Sequence, residues 1–102
     1  MKSKNNIRQK ICDFINEKVT ENDEVGSGIL LADGFDEAFV AVTYTVNSVF
    51  CAVYDYDKCI SILCGNGGME YYEAREYFEY NVLGAYVGVQ TPLFIEMMNI
   101  ES

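Results

Sequence analysis

The apolar residues of this chain change period at one point, and that change bounds the fold. Over residues 38–54 they alternate. Val40, Val42, Tyr44 and Val46 share one face of an extended chain, and Phe39, Ala41, Thr43 and Thr45 share the other. From Tyr56 the spacing becomes helical. Tyr56, Cys59, Ile60, Leu63 and Cys64 follow i, i+3, i+4, i+7, i+8, and Tyr71, Ala74, Phe78, Val82 and Ala85 fall on a second narrow arc, so helix is expected over 56–86 with a glycine turn inside it. A strand presents every second residue to one side and a helix every third or fourth. The two halves of this stretch therefore belong to different elements, and an α+β fold follows.

The remaining elements are read around that pair. Ile7, Ile11, Phe14, Ile15 and Val19 keep helical spacing and predict a first helix over 4–20, ended by a polar loop at 20–24. Gly26-Ser27-Gly28 leads into Ile29–Ala32, a strand signal, and Asp33-Gly34 is a hairpin signal. Val49–Tyr54 returns as a strand. A two-residue turn at Asn47-Ser48 would pair Val46 with Val49, Tyr44 with Cys51, and Val42 with Val53, all on one face. Asp55 is placed to cap the next helix, Gly65 to end it, and Gly88 to end the one after. Pro92 opens a last strand in which Leu93, Ile95 and Met97 alternate with Phe94, Glu96 and Met98. The expected fold is one α+β domain over 1–102, with a mainly antiparallel sheet of about four strands, three helices, and the order α-β-β-β-α-α-β. Both faces of the 38–54 strands are apolar, so helices or a second copy of the chain must cover them. A homodimer stays open.

Charge narrows the partners. The 102 residues carry a net −9, distributed unevenly: residues 1–18 sum to +3 and residues 19–102 to −12. Such a body repels nucleic acid and anionic membranes and attracts basic surfaces. Direct binding of DNA or RNA is not expected; a basic protein partner is. The start, MKSKNNIRQK, is polar and reads as no signal peptide, and no segment has the apolar length of a membrane span, so a cytoplasmic location is expected. With no histidine, and no Ser or Cys beside an evident base, nucleophilic catalysis has no visible apparatus; the chain reads as a non-enzyme needing no cofactor. Cys12, Cys51, Cys59 and Cys64 match no common zinc spacing and read as structural thiols; Cys59 and Cys64 lie on the buried stripe and Cys51 in an apolar strand, where cysteine acts as a small hydrophobe.

Two acidic groups remain as candidate sites. On the second helix of the pair Glu70, Glu73, Glu76 and Glu79 recur every third residue, rising about 4.5 Å per step, away from the core stripe. Arg75 is the helix's single base, so these acids are not laced into a run of i,i+4 salt bridges, and Tyr72, Tyr77, Tyr80 and Leu83 lie among or beside them. The pattern fits either a solvated face or a recognition surface of carboxylates and phenols. The second group is Asp33, Asp36 and Glu37 near one end of the sheet, with Asp55 and Asp57 at the start of a helix. Such oxygen ligands could hold Mg²⁺ or Ca²⁺; they equally serve a turn and a cap.

Three blocks, Asp33-Gly-Phe-Asp-Glu-Ala-Phe39, Tyr54-Asp-Tyr-Asp-Lys-Cys-Ile60, and Tyr72 to Val82 continuing through Gly84–Gly88 to Thr91-Pro92, resemble small uncharacterised proteins of bacteriophages and prophages. The resemblance covers roughly residues 33–95; an acid expected at 89 is Val89 here. It implies a phage context, and so the cytoplasm of a host cell, but carries no catalytic residue with it. Together with the acidity it leads to an expected function: an inhibitor that imitates nucleic acid and occupies the basic groove of a host defence protein, in the manner of anti-CRISPR or anti-restriction proteins. A duplex strand carries one phosphate per ~3.4 Å of axis, and carboxylates on a helix are a crude imitation of that row. The alternatives are a small divalent-metal-binding protein or enzyme using the Asp/Glu group, and a phage accessory protein.

Overall fold

The computed structural model describes residues 2–19, 28–46 and 49–98. Its elements run α-β-β-α-α-β: helix α1 (Lys2–Val19), strands β1 (Phe39–Tyr44) and β2 (Phe50–Asp55), helices α2 (Tyr56–Gly65) and α3 (Tyr71–Phe78), and strand β3 (Leu93–Ile95). A 3₁₀ turn, Asp36–Ala38, precedes β1, and α3 continues into a π-helical turn over Glu79–Leu83. No described helix is long and apolar enough to cross a membrane. The loop expected at 20–24 and the turn expected at Asn47-Ser48 lie outside the described residues.

The α+β class and the three helices agree with the sequence reading; the sheet differs from it. Among the described residues it has three strands in the order β1-β2-β3, and it is mixed, because β3 runs parallel to β2. A parallel neighbour needs a crossover of a dozen residues or more; here α2 and α3 together supply it. Ile29–Ala32 forms no strand. Ile29, Leu31 and Ala32 pack on the core, but the Ala32 N–H donates to the Tyr54 hydroxyl (2.8 Å) in place of a ladder partner. Asp33-Gly34 does make a turn, closed by Phe35 N–H to Ala32 O (3.2 Å), with Gly34 at φ +91° where a side chain would be strained. The chain then enters the 3₁₀ turn and not a hairpin.

The β1–β2 register is one residue away from the expected one. Tyr44 pairs with Phe50, Thr43 with Cys51, and Val42 with Ala52; an irregularity between Phe39 and Ala41 then brings Phe39 opposite Tyr54. Thr45 N–H donates to Val49 O (2.8 Å), which leaves three residues between the paired ends, not two. That one-residue difference puts Phe50, Ala52 and Tyr54 on the face of Val42 and Tyr44. Phe39, Tyr54 and Phe94 now form an aromatic row across all three strands, with centroids 5.6 and 5.5 Å apart.

The helices close over that row. Asp55 caps α2 as expected, its carboxylate accepting from Lys58 N–H (3.3 Å). The stripe of α2 buries Tyr56, Cys59 and Ile60. The turn to α3 depends on Gly67, where a Cβ would come within 2.7 Å of Leu63 O. On α3 the fully buried residues are Ala74 and Phe78, with Val82 partly buried against the same core. The ends of the expected stripe are not buried. Tyr71 is half exposed with Arg75 over its ring (5.9 Å), and Ala85 lies past the helix, which stops at Gly84, four residues before Gly88. The basic α1 is tied on by Arg8, which donates to both Asp36 oxygens (2.8 and 2.9 Å) and lies 3.5 Å from Asp33, and by the edge-on contact of Phe14 with Phe39. Cys51 and Cys59 are buried, as expected, and burial with the nearby Asp55 charge pushes the Cys59 thiol up to about 12; Cys12 is exposed on α1.

Candidate functional site: the outward face of α3

Glu70 is the N-cap of helix α3. Its N–H is taken up by the Glu73 carboxylate (3.4 Å), the returning half of a capping box. Ala74 and Phe78 fix the helix's inward side, so Tyr72, Glu73, Glu76 and Tyr80 point outward. Tyr72 and Tyr80 are among the most exposed large side chains described, at 79% and 85%. Glu73, Glu76, Tyr77 and Tyr80 line one open groove of about 430 Å³, with Met69 and Asn81 completing it. The Asn81 amide is held by Tyr77 O (3.0 Å), which fixes that end of the groove. Exposed phenols and carboxylates along one groove can do two things to a cation: pair with its charge and stack on its stem or plane.

The structure separates the four glutamates. Glu79, expected among the unpaired acids of this face, instead turns toward α2. Its Oε2 accepts from the Tyr56 hydroxyl (2.7 Å) and from Arg75 (3.4 Å), and Arg75 Nε also reaches the Tyr56 oxygen (3.3 Å). The Tyr56 hydrogen bond, then the Arg75 hydrogen bond and charge, hold the Glu79 carboxyl below its ordinary value of 4.5. This is a fastening between helices at the point where α3 becomes π-helical. Glu73 has its capping role, and Glu76 has no bonded partner among the described residues. The exposed face of carboxylates and phenols is thus Glu70, Tyr72, Glu73, Glu76, Tyr77 and Tyr80, without Glu79.

The fastening has a pH signature. A carboxyl whose folded pKa is depressed contributes stability that is present above its unfolded value and lost as pH falls through the folded one. Glu79→Gln is expected to melt below wild type at neutral pH. The gap should narrow as pH falls below about 4.5. Thermal melts of both proteins across that range check it; a gap independent of pH would contradict the assignment.

The second acidic group does not assemble. Asp33 and Asp36 face Arg8, Asp55 caps α2, and Asp57 and Glu37 are exposed. Among the described residues no three Cys, Asp or Glu side chains are placed to hold a metal ion. No family model, curated protein or solved structure matches this chain.

Sequence reasoning located the acidic helix and the three tyrosines beside its acids, Tyr72, Tyr77 and Tyr80. It missed the groove's other walls, Met69 and Asn81, although Tyr77 and Asn81 are i,i+4 neighbours on one surface. It also missed the loss of Glu79 to Tyr56, which no local spacing announces, since the two are 23 residues apart.

Proposed function

We propose that this chain is an acidic binding protein of phage type, which uses the outward face of α3 to occupy a cationic groove on a host nucleic-acid-handling protein. The observation that carries the reading is the groove of Glu73, Glu76, Tyr77 and Tyr80, lined by two carboxylates and no base, on a chain of net charge −9. A groove that binds nucleic acid presents Lys and Arg at phosphate height and often a guanidinium or aromatic plane for stacking. Glu73 and Glu76 meet such cations as phosphates would, and Tyr77 and Tyr80 offer flat faces in the place of bases. Long-range attraction between a −9 chain and a basic surface raises the encounter rate. The bound inhibitor acts by exclusion: the nucleic acid and α3 cannot share the groove.

The test is capture from a bacterial lysate with the full chain as bait, at about 0.1 M and about 1 M salt, where the screening length falls from ~10 to ~3 Å. The expected result is a basic partner retained at low salt, lost at high salt, and released by added duplex DNA or RNA. A partner retained equally in both salts and indifferent to nucleic acid would overturn the reading.

A further inference from the structure

The opposite kind of surface lies at the far edge of the sheet. Residues 80–95 contain no charged side chain, and neither do 38–54. The two runs meet in a hollow of about 540 Å³ walled by Cys51, Leu83, Tyr86, Val89, Pro92 and Leu93. Four other hollows on the described surface each carry a carboxylate; this one carries none. Its rim is apolar and open to solvent: Tyr86 is 74% exposed, and Leu83, Val89 and Leu93 are each about half exposed. Strand β3, which supplies Leu93, is an edge strand with no strand on its outer side among the described residues.

We infer that this face joins two copies of the chain about a two-fold axis, with Tyr86 of each copy seated in the hollow of the other. Charge selects the occupant. A cationic partner finds no carboxylate here to pair with. A second copy carries the same −9 and is repelled wherever acids face acids; on this uncharged hollow two copies meet without that repulsion. A two-fold contact uses the same patch on both copies, so a neutral patch meets a neutral patch. Leu83, Val89, Leu93 and, beyond it, Ile95 are each 40–50% exposed around Tyr86, so pairing would take a continuous apolar rim out of water, as the core of a stable interface of ~800 Å² per partner requires. The inference does not rest on the proposed function, and the two depend on salt in opposite senses. Screening removes repulsion between like-charged copies and so strengthens the dimer, whereas it weakens attraction of α3 to a cationic groove.

Sedimentation of the full chain from micromolar to hundreds of micromolar, at about 0.1 M and about 1 M salt, tests it. The expected result is a species of twice 11.5 kDa that forms at lower concentration in high salt. Tyr86→Glu, and separately Leu93→Glu, should sediment as 11.5 kDa monomers where wild type is dimeric, with unchanged circular dichroism. Glu76→Lys should leave the dimer in place. A monomer under every condition, a dimer that dissociates as salt rises, or a folded Tyr86→Glu protein that still pairs would each overturn the inference. So would a monomer that takes up an apolar dye at this face, which would make the hollow a small-ligand site.

Discussion

Phe78→Ala is expected to lower the unfolding free energy by about 3–5 kcal/mol, the range for removing a buried aromatic ring. Phe78 is fully buried, and its ring meets Phe94 at 5.0 Å, Tyr56 at 5.3 Å and Phe35 at 5.6 Å, each edge-on. Those three belong to β3, to α2 and to the segment before the 3₁₀ turn, so one side chain joins three parts of the chain. The cavity left by alanine cannot be refilled from α3, because its other fully buried residue, Ala74, has no reach. A domain of this size has a total stability of about 5–15 kcal/mol. The variant should therefore unfold at much lower urea, and melting should come within reach of growth temperature. Urea titration followed by circular dichroism checks it; a loss under ~1 kcal/mol would show that the helices do not close on the sheet as described.

What could be read from the chain beforehand follows a physical division. Features fixed within a few residues were legible. The i, i+3, i+4 stripe of Tyr56, Cys59 and Ile60 is buried, Asp55 caps the helix it precedes, and the 38–54 stretch is a hairpin. Features fixed by the rest of the molecule were not. Hairpin register turned on the length of one loop and an irregularity beside Val40, both within the tolerance of a pattern apolar on two sides. The direction of β3 depends on how two helices cross the sheet, and nothing in Leu93–Ile95 encodes it. Ile29–Ala32 has strand composition, yet its Ala32 N–H is satisfied by a tyrosine hydroxyl from β2.

The same division runs through the candidate site. That α3 has an acidic outward face was legible from spacing alone. Which acids are available was not: Glu79 is held by Tyr56 and Arg75, and Asp36 is held by Arg8. This changes the choice of variants. Reversing Glu79 would place a lysine beside Arg75 and deprive the buried Tyr56 hydroxyl of its acceptor, which costs stability whatever the face binds.

Binding of a cationic groove by the outward face of α3 is decided by the double variant Glu73→Lys, Glu76→Lys, with Glu79 kept. Both side chains are exposed and off the core. Their loss to the fold is limited to the Glu73 capping bond, a contribution on the order of 1 kcal/mol. At the interface each reversal replaces an attraction with a like-charge contact, and such contacts cost several kcal/mol. The measurement is the affinity of the captured partner for wild type and for the folded double variant, at one low salt concentration. The expected result is at least a hundredfold loss, about 2.8 kcal/mol or more at 1.4 kcal/mol per decade. Equal affinity of the two proteins would contradict it and leave the acidic face of α3 as a solvated surface.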